Sequence, residues 1–250
     1  MITSDIIKIA NFISSTTSCI DKNGISLETG SDFHVYKNTI KQQPEKGPVM
    51  PNFHPSYNEF DESNAFWMIG RNNEGEIVHT QAVRLLDLRK LSLAAYIETY
   101  FEEFTPKGWV LDQEKSQYHP PPGIQKIGGT VCCHGEFWLK GGRAGQRGAG
   151  MTILTARLAM VLSLMKWSPD HIFALMTSNT ICKGLAARAG FMHTGQMNKF
   201  WFLPNEPESV EGWVVWLNRS DLNHQLNIQP ALLAHQLNSA QASRKAKKAA

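Results

Sequence analysis

A glycine-rich run between a strand-like segment and a helix-like segment is the part of this sequence best suited to bind a ligand. Residues 141–150 have the sequence GGRAGQRGAG, in which five of the ten residues are glycine. Backbone N–H groups in such a loop can surround a phosphate, and the N-terminus of the following helix adds partial positive charge. Glycine allows the tight turn and the close approach of the ligand that this requires. The pattern therefore predicts a binding loop for a cofactor that carries phosphate.

Two common nucleotide-binding motifs do not fit this loop. The dinucleotide pattern G-x-G-x-x-G fails because Ile153 stands where the third glycine belongs. The P-loop pattern G-x-x-x-x-G-K-[S/T] fits from Gly145 onward, except that Met151 stands in place of the lysine. Since a methionine cannot neutralise a triphosphate, we exclude this motif as well.

A third pattern fits the same residues better. Residues 145–150 resemble the [Q/R]-x-x-G-x-[G/A] loop of the GNAT (Gcn5-related N-acetyltransferase) superfamily, with Gly145 in place of the first Gln or Arg. The predicted strand His171–Thr177, followed by Asn179 and then Gly190-Phe191, resembles the strand-Asn-helix-Gly-Phe segment of the same family. Both matches lie in the family's order, and together they cover about residues 129–203. The resemblance implies that the loop binds the pyrophosphate of coenzyme A and that the pantetheine arm occupies a slot between two splayed parallel strands.

The resemblance also implies acetyl-CoA or another acyl-CoA as co-substrate and an amine as the acceptor of its acyl group. A backbone N–H on the strand before the loop, around residues 137–139, would stabilise the oxyanion. Residues of that strand, of the loop and of the later segment are assigned to cofactor binding: Phe137, Trp138, Leu139, Arg143, Gly145, Gln146, Arg147, Gly148, Ala149, Gly150, Met151 and Asn179. Asn179 directly precedes a predicted helix, so an N-cap is its alternative role.

Glu136 is the acidic residue best placed on this strand to act as a base toward the amine, directly or through water. A solvated strand carboxylate is the alternative. His134 lies two residues earlier and is predicted on the same face, where it assists Glu136 or is purely structural. Many GNAT enzymes carry a tyrosine seven residues after the asparagine, as general acid toward the coenzyme A thiolate, but here that residue is Ala186. Either another group donates the proton, or the thiolate leaves unaided, or the chain is not an active acetyltransferase.

We therefore predict an acyl-CoA-dependent N-acyltransferase, most simply one in which a bound amine attacks acetyl-CoA directly in a ternary complex. Two alternatives stay open. One is a non-catalytic member of the fold that binds acyl-CoA or a partner, and the other is a long-chain acyltransferase of the acyl-homoserine lactone synthase type. The acceptor is not predicted, but residues 44–58 and 86–128 are expected beside the acyl end of the slot, where they would select it.

These residues need a sheet to position them, and the hydrophobic pattern predicts one from residue 65 onward. The predicted elements are a hairpin of residues 65–70 and 77–85, a helix over 91–104, a strand over Gly129–Leu139, a helix ending at Trp167, a strand over His171–Thr177, a helix over 179–189 and a strand over 197–203. Before them we predict a helix near residues 6–13 and a short strand over Phe33–Ile40. The predicted fold class is α/β, a GNAT-like mixed sheet flanked by helices with a splayed central strand pair.

The predicted domain organisation has three parts. Residues 1–30 are an N-terminal extension, residues 31–204 a GNAT-like acyl-CoA-binding domain, and residues 205–250 a C-terminal extension with a basic tail. Both extensions are predicted to be helical.

Composition narrows the partners and the compartment. The net charge is +3, and four basic residues lie among the last seven, so the rest of the chain is nearly neutral and no nucleic acid is expected. The four cysteines have no metal-ligand spacing, and no metal is predicted. The most apolar run, Met151–Trp167, is too short and too charged to predict a membrane span, and the N-terminus does not resemble a secretion signal. We expect a cytoplasmic protein, with a homodimer as one option for its assembly.

Overall fold

A computed structural model describes residues 3–141, 150–229 and 232 of the chain. Within these ranges the strands are β1 (Ile25–Gly30), β2 (Ala65–Asn72), β3 (Ile77–Leu88), β4 (Val110–Leu111), β5 (Gly129–Leu139), β6 (His171–Thr177), β7 (His193–Phe202) and β8 (Val210–Asn218). The α-helices there are α1 (Thr3–Lys22), α2 (Phe33–Ile40), α3 (Leu93–Thr99), α4 (Met151–Trp167), α5 (Ser178–Cys182), α6 (Leu185–Ala189) and α7 (Arg219–Gln225). The strands form one sheet in the order β1-β2-β3-β5-β6-β8-β7-β4. The predicted mixed α/β sheet flanked by helices is confirmed.

Strands β5 and β6 are parallel, whereas the other neighbouring strands among the described residues are antiparallel. The β5–β6 ladder covers only residues 131–133 and 171–173, although β5 continues to Leu139 and β6 to Thr177. Past this short ladder, residues 134–138 of β5 form no residue pair with β6. The predicted splayed pair is therefore present, and it leaves a slot between β5 and β6.

Apolar side chains cover the sheet on both faces. Helices α1 and α4 pack together on one face, where Cys132 and Leu154 belong to one buried cluster. Cys133 and Phe173 belong to a second cluster on the other face, together with side chains of α2 and α3. The adjacent cysteines therefore point to opposite faces of the sheet. Burial raises the pKa of both thiols, that of Cys133 to about 12, so neither is a ready nucleophile at neutral pH.

The predicted strand over Phe33–Ile40 is wrong, because this segment is helix α2. The carboxylate of Asp32 accepts hydrogen bonds from the backbone N–H groups of His34 (2.8 Å) and Val35 (3.1 Å) and so caps the helix. Phe33, Tyr36 and Ile40 are buried at helical spacing. The strand of this region is β1, which lies before the helix and pairs with β2.

The predicted helical character of the C-terminal extension is wrong for Val210–Asn218, which is strand β8. This strand lies inside the sheet between β6 and β7 and pairs with β6 from His171 to Thr177. Its valines and tryptophans are typical of a strand buried on both faces. Since β1 pairs with β2 at the opposite edge, the sheet extends past both predicted boundaries, residues 30 and 204.

Smaller differences concern the ends of elements. Helix α1 continues through the Ser/Thr-rich residues to Lys22, with the Thr17 hydroxyl donating to the Ile13 carbonyl at 2.8 Å. The predicted helix over 91–104 is helix α3 followed by a 3-10 turn, Phe101–Phe104. The predicted helix over 179–189 is divided into α5 and α6 at Gly184, which has a φ of 72°. Strand β7 begins earlier than predicted, at His193.

Among residues 3–141, 150–229 and 232, no helix is long and apolar enough to cross a bilayer. No group of three or more His, Cys, Asp or Glu residues there could hold a metal ion.

Candidate active site

A cavity of about 640 Å³ opens where β5 and β6 diverge. Residues 133–138 of β5 and 174–177 of β6 form two of its walls. The proline-rich segment contributes residues 46–50, and the segment between β3 and β5 contributes Phe104 and Trp109. Both segments that were expected to select the acceptor thus lie at the cavity.

A β-bulge in β5 shapes the wall of this cavity. Gly135 pairs with Ala82 and Trp138 with Thr80, so β5 has one more residue than β3 between these two pairs. Glu136 lies at this point with a φ of 57°, a left-handed conformation that is uncommon for residues other than glycine. The Thr80 hydroxyl donates a 2.8 Å hydrogen bond to the Glu136 carbonyl oxygen. The bulge therefore changes which side chains of β5 face the cavity.

The Glu136 carboxylate is fully buried and has three hydrogen-bond donors. The Met50 backbone N–H donates to Oε1 at 2.7 Å, and the Tyr36 hydroxyl donates to Oε2 at 3.1 Å. The Lys46 ammonium forms an ion pair with Oε2. Burial and the nearby Glu136 charge raise the pKa of Tyr36 well above its usual value, so this hydroxyl stays protonated and acts as a donor. Glu136 is therefore not a solvated strand carboxylate.

His134 lies on the opposite face from Glu136, and the prediction that they share a face is wrong. Strict alternation would place both on one face, but the extra residue at the bulge reverses the side chains after Gly135. His134 Nε2 lies 2.9 Å from Gln81 Oε1, and the Gln81 amide donates to the Thr155 carbonyl of α4 at 2.8 Å. Burial lowers the pKa of His134 to about 4, so the imidazole is neutral at pH 7. In this position its ring contacts Gln81, Phe137 and Phe191 and not the Glu136 carboxylate.

Lys46 is a cavity residue that the sequence did not reveal. Its side chain is 5% exposed, and its partner Glu136 is 90 residues away in the chain. The 3-10 turn Pro44–Lys46 ends at Gly47, which has a φ of 76°, and this turn brings the lysine over β5. A lysine in a polar, proline-rich loop has no spacing that would identify its partner, so no sequence signal was there to find it.

The residues predicted to bind coenzyme A are only partly described by the structure. Phe137 and Trp138 line the cavity, whereas the Leu139 side chain lies in the apolar cluster under α4. Gly150 has a φ of 71° and directly precedes α4, whose first residue, Met151, is fully buried. The other predicted loop residues lie outside the described ranges: Arg143, Gly145, Gln146, Arg147, Gly148 and Ala149.

The later segment of the motif meets the cavity at α5. Asn179 is exposed and lines the cavity, but it is the second residue of the helix, and Thr177 occupies the N-cap position. The alternative role of Asn179 as an N-cap is therefore wrong. Ala186 is buried in the core, whereas Leu185 and Ala189 of the same helix line the cavity. Residue 186 thus lies away from the cavity and has no acidic group.

Several solved structures with acetyltransferase names are similar to this chain. The aminoglycoside acetyltransferase AAC(6')-Ib in complex with coenzyme A and kanamycin is 13% identical over 80% of this chain and 98% of its own, with a TM-score of 0.43. NAA60 of Arabidopsis thaliana in complex with acetyl-CoA is 11% identical over 78% of this chain and 98% of its own, with a TM-score of 0.41. An N-acetyltransferase from Staphylococcus aureus Mu50 is 9% identical over 78% and 98%, with a TM-score of 0.39.

No protein-family model matches the sequence, and no curated protein matches it significantly. At the identities and TM-scores of the solved structures, the likeness assigns no substrate and no residue role to this chain.

Proposed function

We propose that this protein is an acyl-CoA-dependent N-acyltransferase, most simply one that transfers acetyl from acetyl-CoA to an amine by direct attack in a ternary complex. The observation that carries the proposal is the separation of β5 from β6 around a cavity that contains the buried carboxylate of Glu136. An extended arm can add to the free edge of a strand, because its amides replace the missing strand partner. A pantetheine arm has this extended, amide-bearing form.

The start of α4 fits the pyrophosphate of the same co-substrate. The helix is 17 residues long, and the glycine-rich segment leads directly into it. Its N-terminal N–H groups and partial positive charge favour an anion. We propose that Arg143 and residues 145–151 hold this group, with Phe137, Trp138, Leu139 and Asn179 along the arm. The bound co-substrate supplies an acyl thioester, and the chain supplies orientation and proton transfer.

Glu136 is proposed as the base that accepts the proton of the attacking amine. Each oxygen of a carboxylate can accept about two hydrogen bonds. Oε2 of Glu136 has two donors, whereas Oε1 has one and can accept one more. The apolar lining of the cavity favours the neutral form of a bound amine, because burial lowers the pKa of an amine. The neutral amine can then attack the thioester, and its proton passes to Glu136.

The oxyanion needs a hydrogen-bond donor, whereas the leaving thiolate can be protonated by a different group or by none. A backbone N–H of residues 137–139, next to the bulge, is proposed to face the developing oxyanion. Ala186 cannot donate a proton to the leaving thiolate. A thiol has a pKa of about 8.5, so the thiolate can leave unaided.

The first test is the thermal stability of the protein with acetyl-CoA, free coenzyme A or one long-chain acyl-CoA. A ligand at about one hundred times its Kd adds about 2.7 kcal/mol to the free energy of unfolding, which raises the Tm by several degrees. A shift with acetyl-CoA, followed by amine-dependent release of free thiol, is the expected result. A shift with the long-chain compound alone would favour long-chain acyl transfer, and no shift with any of the three would contradict the proposal.

A non-catalytic acyl-CoA-binding protein is the second candidate, and two observations favour it. Three donors hold the Glu136 carboxylate, and Ala186 replaces the usual acid. A clear thermal shift with acetyl-CoA, without thiol release for any amine in a broad panel, would support this candidate over the enzyme.

A further inference from the structure

Charge in the cavity is sparse and mostly positive. Among the described residues that line it, Glu136 is the only carboxylate, and Lys46 is paired with one of its oxygens. Lys107 adds a second cation on the exposed rim. Residues 1–2, 142–149 and 230–250 contain neither Asp nor Glu. No Asp or Glu side chain from those parts of the sequence can therefore add negative charge to the cavity.

Aromatic rings form much of the remaining lining, and we call four of them the aromatic wall. They come from the two acceptor-side segments and from β7: Phe53, Phe104, Trp109 and Trp201. Trp109 and Trp201 meet edge to face, with ring centroids 6.3 Å apart. The wall thus combines contributions from segments that are far apart in the sequence.

Two glycines leave space for rings of the aromatic wall. A Cβ at Gly135 would overlap the Phe53 ring, and a Cβ at Gly212 would overlap the Trp201 ring. Both rings therefore occupy the space that a side chain at the glycine would need, and a larger residue there would displace them. The apolar lining is supported by the strands beneath it.

From the sparse charge and the aromatic wall we propose that the acyl acceptor carries one amino group on an apolar or aromatic body, and that polycations are poor acceptors. This rests on the proposed acyltransferase function, whose acceptor class it names. Apolar surface gains free energy on leaving water, whereas each extra ammonium group would be buried without a free carboxylate. In the reaction the N–C bond forms as the C–S bond breaks, the amine proton passes to Glu136 and then to solvent, and coenzyme A leaves as thiolate.

The test compares hexylamine with 1,6-diaminohexane, two acceptors of the same chain length that differ by one terminal amino group. At saturating acetyl-CoA we expect kcat/KM for hexylamine to be at least about tenfold higher. Equal or faster turnover of the diamine would overturn the proposal.

Measuring amine binding directly shows whether the acceptor class or the enzymatic function is wrong. Calorimetric titration of both amines in the presence of coenzyme A gives their Kd values without turnover. If hexylamine binds tighter but is not acylated, the acceptor class stands and the enzymatic proposal fails. If neither amine binds, or the diamine binds as tightly, the acceptor class is wrong.

Lys107 gives a sharper version of the same test. Lys107→Glu places a carboxylate on the rim, and we expect it to reduce the preference for hexylamine by at least about threefold. Lys90→Glu makes the same charge change at an exposed residue that does not line the cavity. Equal preferences in the two variants would overturn the role of Lys107 in excluding polycations.

Discussion

Glu136 owes its position to a single extra residue in β5. The bulge turns its carboxylate toward the cavity and turns His134 toward α4, although the two residues would share a face in a regular strand. The backbone at Glu136 is held in a left-handed conformation by the surrounding sheet. Unusual backbone of this kind is maintained where neighbouring structure over-determines it, and it often accompanies functional sites.

Glu136→Gln tests the proposed base. The amide keeps the size of the side chain but does not accept the amine proton, so we expect turnover to fall at least about tenfold. The Kd for acetyl-CoA should stay unchanged, because the proposed binding groups are elsewhere. Glu28→Gln, on the exposed edge strand β1, is the matched control. An unchanged turnover number in Glu136→Gln would remove Glu136 from the mechanism.

The buried histidines make stability depend on pH. Burial lowers the pKa of His134 to about 4 and that of His79 to about 3, against about 6.5 in an unfolded chain. Between these values the unfolded chain binds protons that the folded chain does not, so stability falls as the pH falls from 6.5 toward 4. For His134 alone, the free energy of unfolding decreases by about 3 kcal/mol, at about 1.4 kcal/mol for each pKa unit between the folded and unfolded values.

Urea unfolding at pH 7 and pH 5 measures this dependence. We expect His134→Gln to lose less stability between the two pH values than the unsubstituted protein, because it removes one of the groups that titrate. An identical loss in both proteins would show that His134 is not held neutral by the fold.

The sequence was informative about single residues and uninformative about their partners. Glu136 was recognised from its strand and the glycines that follow. Lys46 and Tyr36 contact it from 90 and 100 residues away, and no local pattern encodes such a separation. The bulge has no sequence signal either, since Glu136 is not the glycine that usually marks a left-handed residue.

At the scale of elements, local pattern and tertiary context disagreed at two places. The residues of α2 include aromatic and β-branched types that favour strand, but the Asp32 cap and the spacing of the buried residues favour helix. Strand β8 was predicted as part of a helical extension although its sequence, VEGWVVWLN, is rich in strand formers. Strands β5 and β6 were predicted correctly because both are apolar runs bounded by Gly, Pro or Asp.

Gly212 and Trp201 form a pair whose packing can be measured. Gly212→Ala introduces a Cβ that overlaps the Trp201 ring, so we expect it to lower the free energy of unfolding by about 1–3 kcal/mol. Trp201→Phe removes the part of the ring that the Cβ would meet. In the double variant the destabilisation should therefore be smaller than the sum of the two single effects. Strict additivity in urea unfolding would contradict the predicted contact.

At the scale of the whole molecule, the sheet consists of two four-stranded halves in its described part. One half is β1-β2-β3-β5, the other is β6-β8-β7-β4, and the short parallel ladder joins them. Strand β6 has seven residue pairs with β8 but only three with β5. The second half of the sheet therefore depends on β8, which the sequence placed outside the acyl-CoA-binding domain.

Truncation tests this dependence. A chain that ends at residue 204 lacks β8 and leaves β6 and β7 without their shared partner, so we expect it to lose cooperative unfolding. A chain that ends at residue 232 retains every contact described above and should unfold cooperatively. Cooperative urea unfolding of the shorter chain would show that the predicted domain boundary at residue 204 is sufficient.

The segment between β3 and β5 connects the two halves of the sheet a second time. It leaves one half of the sheet after β3 and forms β4 at the far edge of the other half. On the way back to β5, the backbone N–H of His119 donates to the Met197 carbonyl of β7 at 3.2 Å. The same segment therefore spans the two halves beside the cavity and limits how far they can rotate about the three-pair ladder. We therefore expect the gap between β5 and β6 to keep its width when a ligand enters, because both the ladder and this segment join the two halves of the sheet.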